Sequence, residues 1–456
     1  MKRCTLSLAV ALGASLAHTC ASAAGFIDDS KASLTLRNFY IDTDNRNGAA
    51  APSKQSEWGQ GFLLNYASGY TQGTVGFGVD ALGLLGVRLD GGGKAGKPGI
   101  ERQPGTVFPL AHDGTATDNF SSLGLTAKAR WSKTELRYGT LLPKLPVVVY
   151  NDARLLPLTY QGSQVTSGEI DNLSLTAGQL EHTRGRNSTD WRALSIAGAN
   201  GSSASARDSN HFYFAGADYK TAKNLLLQYY YGELDNFYQQ HFVGLVHSQP
   251  LGGGTLKSDI RVFISTADGN NASSAGRADG YLSSGYYGNG VKRGEVDNNV
   301  YSGMFTYSQN GHGLGAGYQV LTGQSDFPYL NRGDGEGTST YLVTDAQLLK
   351  FNRAGERTWL ARYTYDFAAA GVPGLGLSLL YLNADDISGR GVDRGEWERD
   401  VALSYVIPSG GFKGLGLTWK NTSMRSGLPA DTTPGVASQR DQDENRLIVS
   451  YTLPLL

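Results

Sequence analysis

The chain has 456 residues, 61 of them glycine and 25 tyrosine, but only 2 cysteines and 3 methionines. Its 40 basic residues nearly balance 41 acidic ones, so it lacks the charge signature of a nucleic-acid binder. Beyond the first two dozen residues no run of eighteen apolar residues occurs, which excludes transmembrane helices.

In chain order, Lys2 and Arg3 precede an apolar run from Leu6 to Leu16, and Ala21-Ser22-Ala23-Ala24 follows. A basic start, a short apolar stretch and small residues predict a cleaved secretory signal peptide over residues 1–24. Both cysteines, Cys4 and Cys20, fall inside it, and His18 and Thr19 argue against lipidation at Cys20. The expected mature chain, 25–456, has no disulfide and no cysteine metal site. Without Lys2 and Arg3 it keeps 38 basic against 41 acidic residues, a net charge of −3.

The rest reads in period two. Val75, Phe77, Val79 and Ala81 alternate with Gly76, Gly78 and Asp80. Leu123 to Trp131 alternates with Gly124, Thr126, Lys128 and Arg130, and Trp359 to Phe367 with Leu360, Arg362, Thr364 and Asp366. Val401, Leu403, Tyr405 and Ile407 continue the pattern, and Leu447 to Leu455 carries it to the end of the chain. One face suits lipid and the other water. A chain without long apolar runs crosses a membrane only as a closed barrel, where every backbone group is paired between strands.

Short turn signals lie near 70–71, 132–133, 171–172, 221–222, 250–254, 310–313, 371–374 and 408–412. Long polar stretches alternate with them at 43–56, 91–118, 143–161, 185–208, 268–296, 324–356, 386–397 and 426–443, with one short outer connection near 236–238. Eight short and nine outer connections predict an all-β fold: a closed antiparallel transmembrane barrel of 18 strands. Short periplasmic turns and long extracellular loops, folded partly into the lumen, complete it. Tyr341 to Leu349 resembles a strand, but counting it gives an odd number, so it is placed in a loop. With the first strand expected within about ten residues of the cleavage site, no N-terminal plug domain is expected.

Inward positions carry Arg37, Arg88, Lys128, Arg130, Arg137, Arg362, Lys420 and Arg446, each beside apolar outward neighbours. They fall on the first, third, fourth, fifth, fourteenth, seventeenth and eighteenth strands, which closure makes two adjacent groups. A guanidinium holds a carboxylate through two parallel hydrogen bonds, so a column of such sites is a translocation track for anions. Asp80, Glu135, Asp259 and Asp366 are the inward carboxylates available to neutralise them.

The segment 143–157 carries three prolines and is too apolar for a solvated loop. It is read as a constriction loop inside the barrel, with Tyr150, Asp152 and Arg154 as the residues facing solute. No Gly-x-Ser-x-Gly motif occurs, and His182, His211, His241 and His247 lack the spacing of metal ligands on one face. Neither an enzyme, a cofactor nor a metal is expected.

The ordered segments Gly25-Phe-Ile-Asp-Asp-Ser30, Trp58-Gly-Gln-Gly-Phe62, Gly73-Thr-Val-Gly-Phe-Gly-Val-Asp80, Trp359-Leu-Ala-Arg362-Tyr363, Gly371-Val-Pro-Gly374 and Asn445-Arg446-Leu447-Ile448-Val449 resemble the OprD-type porins. These are outer-membrane carboxylate channels of pseudomonads and their relatives. The resemblance spans the mature chain. It implies an 18-stranded channel with an arginine and lysine ladder and a loop-lined eyelet. Stretches 142–146, 150–157 and 229–245 are more similar to the branch associated with aromatic and cyclic carboxylates than to that of basic amino acids. The expected partners are small carboxylate solutes, outer-membrane lipid and lipopolysaccharide, with the barrel-assembly machinery recognising the C-terminal strand of a monomer or weak trimer. The competing readings are a channel for basic amino acids or peptides and a nonspecific general porin.

Overall fold

A computed structural model describes residues 24–46, 53–95, 102–197, 207–221, 224–283, 292–332, 338–388, 395–428 and 439–456. The expected signal peptide lies outside them, apart from Ala24. Eighteen strands follow one another around a wall: β1 (Lys31–Asn45), β2 (Lys54–Ala67), β3 (Gly76–Asp90), β4 (Asn119–Trp131), β5 (Thr134–Leu141), β6 (Thr159–Ser167), β7 (Leu173–Arg184), β8 (Phe212–Lys220) and β9 (Leu225–Leu234). Then come β10 (Tyr238–Leu251), β11 (Gly254–Ala267), β12 (Asp297–Gln309), β13 (His312–Gly323), β14 (Arg357–Asp366), β15 (Leu375–Asp385), β16 (Glu396–Val406), β17 (Gly416–Ser426) and β18 (Gln442–Pro454). Each pairs antiparallel with its neighbours. β1 pairs with β18 from Ser33↔Pro454 to Asn45↔Gln442, so the sheet closes and no edge is left. The strand count matches the number of turn and loop signals in the sequence.

Short turns alternate with long connections. Two of the two-residue turns are Gly252-Gly253, with φ of 55° and 84°, and Asn310-Gly311, with φ of 49° and 82°. Positive φ at both central residues lets a two-residue hairpin follow the strand twist, and glycine or asparagine adopts it at low cost. Tyr341 to Leu349 forms no strand and lies in the connection between β13 and β14.

Parity is as the alternation requires. Leu123, Leu125 and Trp131 on β4, Leu136 and Tyr138 on β5, Trp359 on β14, Trp419 on β17 and Leu447 on β18 are exposed on the outer face. Lys128, Arg137, Arg362, Lys420 and Arg446, of opposite parity on the same strands, face inward.

The inner face departs from a simple polar lining. Phe39, Ile41, Leu63, Leu84 and Phe120 point inward and are buried with Val107, Phe108, Leu155 and Leu156 of two inserted loops. A second apolar cluster joins Phe212, Phe214, Tyr230, Phe242 and Phe263 of the wall to loop residues Val147, Val148, Ile196, Phe327 and Leu342. Residues 143–157 therefore pack inside the barrel, as their composition predicts. Burying a side chain such as Leu155 stabilises this seat by about 1.5–3 kcal/mol. The inserted loops pack against β1–β4 and β5–β13, and Leu349 and Phe351 of the connection before β14 pack on β12, β14, β15 and β17; open space remains beside β14–β18.

Candidate functional site

An open cavity of about 690 Å³ lies between the wall at β14–β18 and the inserted loops. Strand register fixes which side chains share its levels. Arg362 sits opposite Leu380, Leu380 opposite Asp400, Asp400 opposite Thr422 and Thr422 opposite Glu444, one row across five strands. The next inward row toward the short turns carries Thr364, Ser378, Ala402, Lys420 and Arg446. Adjacent strands lie about 4.8 Å apart, so these cations are spread over the wall rather than stacked on one strand.

The loops supply the opposite side. Arg446 Nη1 donates to the carbonyl of Ala153 at 3.2 Å, and its guanidinium pairs with Glu444 at 2.6 Å. Arg37 Nη1 and Nη2 grip Asp152 at 2.6 and 3.0 Å, and Nη1 also donates to the carbonyl of Arg154 at 2.9 Å. The segment 152–155 is thus strapped to β1 and β18. Arg154 reaches into the cavity and donates from Nη1 to the carbonyl of Thr106, while its Nε has no partner. Burial, and then Arg446 nearby, lowers the Arg154 pKa to about 10, which leaves it charged at neutral pH.

Buried wall carboxylates position the other loops. Glu57 accepts the backbone N–H groups of Thr106, Val107 and Phe108 at 2.6, 2.9 and 3.3 Å. Glu398 accepts those of Leu348 and Leu349 at 2.9 and 2.6 Å. Gln347 donates its backbone N–H to Asp400 and its side-chain Nε2 to Glu444, at 3.3 and 3.0 Å. Asp345, Gln347 and Lys350 consequently line the cavity. Burial lowers the Lys350 pKa, but Asp345, 3.0 Å from its ammonium, outweighs that and raises it overall.

The cations predicted from the sequence, eight on the wall and Arg154 on the loop, divide in three, since Arg37 and Arg88 fasten loops. Arg154, Arg362, Lys420 and Arg446 share this cavity. Arg137 lines a second cavity of about 630 Å³, with Asp80, Thr126, Thr140 and Gln164, nearer the short turns. Beside it Lys128 pairs with Asp80 at 2.6 Å and donates to the carbonyl of Ser68, and Arg137 pairs with Glu135. Arg130 lies over the ring of Tyr70, 4.1 Å from its centroid. Arg88 is bound to Asp118 and to the carbonyl of Ala116, which fastens another loop. Of the four expected inward carboxylates, Asp259 pairs instead with Arg261 at 2.8 Å. Asp366 accepts the backbone N–H of Ala368 and caps a turn. Tyr150 packs on the large apolar cluster beneath Lys144 and lines neither cavity.

Reasoning from inward cations alone missed Arg186, Lys350, Asp345 and Asp400. Arg186 and Lys350 stand in loops, where parity carries no information. The signal for Asp400 was present: Glu396, Glu398 and Asp400 recur at every second position of β16. Glu233, Asp235 and Asp268 also converge near the loop end of β9–β11, with carboxylate oxygens within 4.8 Å of one another. Asp268 there already accepts from Asn236 and Gln239.

The family model described as outer membrane porin, OprD family, matches residues 24–455. The porin-like protein GalP of Pseudomonas putida is 37% identical over 437 residues, covering 96% of this chain and 95% of that protein. The crystal structure of Pseudomonas aeruginosa OccK8 (OprE) aligns with a TM-score of 0.85 at 64% identity, covering 95% of this chain and 100% of that one. Pseudomonas aeruginosa OpdK, solved with vanillate, aligns with a TM-score of 0.78 at 33% identity over 94% of this chain and 100% of that one.

Proposed function

The chain belongs to the OprD family of outer-membrane porins, and from that premise we propose that it passes small carboxylates along the basic wall of its lumen. It is a multi-pass β-barrel of the outer membrane. Its relatives are channels, not enzymes. The observation that carries the substrate reading is the pair Arg362 and Lys420. Both line the 690 Å³ cavity, and neither has a carboxylate within ion-pair distance among the described residues. A hydrated anion exchanges water for these donors and moves on without a deep trap. Arg154 and Arg446 extend the track to the loop side, while Arg130 and Arg137 continue it toward the short turns, and Lys128, neutralised by Asp80, fastens the wall beside them.

Aromatic or cyclic acids are the finer expectation, and the OpdK structure with vanillate supports it. Cleavage of residues 1–24, contact with lipopolysaccharide, recognition of the C-terminal strand by the assembly machinery and a monomeric or weakly trimeric state belong to the same reading. Asp400 and Glu444 on the cavity favour a second reading, a channel for basic amino acids. Reversal potentials and liposome swelling with benzoate, arginine and a neutral sugar separate the two. Anion selectivity with benzoate faster than arginine supports the carboxylate reading. Cation selectivity with arginine faster overturns it.

A further inference from the structure

Among the described residues the large cavity is lined by six cations, Arg154, Arg186, Lys350, Arg362, Lys420 and Arg446, but by three carboxylates, Asp345, Asp400 and Glu444. Two of the carboxylates are spoken for: Lys350 pairs with Asp345 and Arg446 with Glu444. Arg186 donates to Asn151 Oδ1 at 3.2 Å. Arg154, Arg362 and Lys420 have no ion pair among the described residues; Asp400 lies near Arg362 and Lys420, Glu444 near Lys420 and Arg154, and Glu57 near Arg154, all beyond ion-pair distance. Asp400 already accepts from Thr422 Oγ1 at 2.7 Å and from the Gln347 N–H.

The three cations come from two sides. Arg362 and Lys420 stand on the rigid wall, with the inward position of Asp400 between their strands. Arg154 stands on the loop strapped to β1 and β18. The rest of the lining is hydroxyl and amide groups, including Thr43, Gln55, Thr364 and Ser378, with short aliphatic side chains. No aromatic ring lines this cavity among the described residues, so a planar aromatic acid finds no stacking partner there.

We propose that the cavity is a subsite for small dicarboxylates, one carboxylate held by Arg362 and Lys420 and the other by Arg154. This deepens the carboxylate reading above and rests on it. A monocarboxylate satisfies one side and leaves a cation on the other without a counterion. A second carboxylate adds a charge-assisted contact at a cation the fold already presents, and the polar lining solvates the chain between the two.

The test is block of single-channel chloride current in planar bilayers by succinate, butyrate, benzoate and inorganic phosphate at matched ionic strength. The wild-type protein is compared with Arg154→Gln and Lys420→Gln. Succinate is expected to half-block at a concentration at least tenfold below that of butyrate. Either substitution should bring the two within about twofold. Lys420→Gln, on the wall, keeps the test valid if Arg154→Gln unseats its loop. Butyrate or benzoate blocking as well as succinate overturns the dicarboxylate subsite and leaves the carboxylate channel standing. Phosphate blocking better than succinate also overturns it. No block by any anion, in a channel without anion selectivity, overturns both.

Discussion

Inward cations of one protein do two different jobs, and their partners decide which. Lys128 is nearly buried, paired with Asp80 and bonded to the Ser68 carbonyl. Truncating it leaves Asp80 with only Arg137, 3.8 Å away. Lys128→Ala should therefore destabilise the barrel by about 3 kcal/mol or less, because Asp80 keeps some solvent contact. A lowered melting temperature at nearly constant ion selectivity is the expected pattern. Arg362 is the opposite case: it has no ion pair to lose, so Arg362→Ala should leave the melting curve almost unchanged and reduce anion selectivity. If Arg362→Ala lowers stability and spares selectivity, the assignment is inverted. Parity along a strand showed that both residues face inward. It could not show which is neutralised, because Asp80 lies on β3, across the sheet from Lys128, and Asp366 was drawn off to cap its own turn.

The inserted loops are the elements that turn a wide barrel into a defined cavity. The segment 143–157 is held by Leu155 and Leu156 in one apolar cluster, by Val147 and Val148 in another, and by the Arg37–Asp152 bridge. Deleting residues 146–152 should raise single-channel conductance severalfold, and unchanged conductance would show that the loop does not limit the pore. Leu155→Ala should cost about 2–5 kcal/mol at that seat, read as added current noise and a lower melting temperature. Glu57 clamps the other loop through three backbone N–H groups. Glu57→Ala leaves those donors unpaired, at about 1–3 kcal/mol for a buried group. Faster hydrogen exchange at Thr106, Val107 and Phe108 is the expected sign, and unchanged protection there would show that the clamp is dispensable. The apolar, proline-rich composition made 143–157 legible as a packed loop. The clamps were not legible, since Glu57 and Glu398 meet backbone groups about fifty residues away. The inward phenylalanines were hidden for a related reason: alternation assumes a wet inner face, and loop packing dries it.

At the scale of the whole molecule, closure gives each side chain on the wall its neighbours. Pairing of β1 with β18 sets Arg446 opposite Ile41, so ends of the chain more than four hundred residues apart share one wall. Eighteen strands and their in-out parity follow from alternation and turn spacing, which are local signals. The cavity does not, because it is what remains after the inserted loops have packed against most of the wall. The result is a lumen largely filled by packed loops, with a polar cavity beside β14–β18 whose lining carries excess positive charge. Reversal potential across a salt gradient, for the wild-type barrel and Arg362→Ala/Lys420→Ala, tests this most directly. Clear anion selectivity is expected in the wild type and its loss in the double variant, with both proteins melting alike. A cation-selective wild type, or selectivity unchanged in the variant, would contradict it.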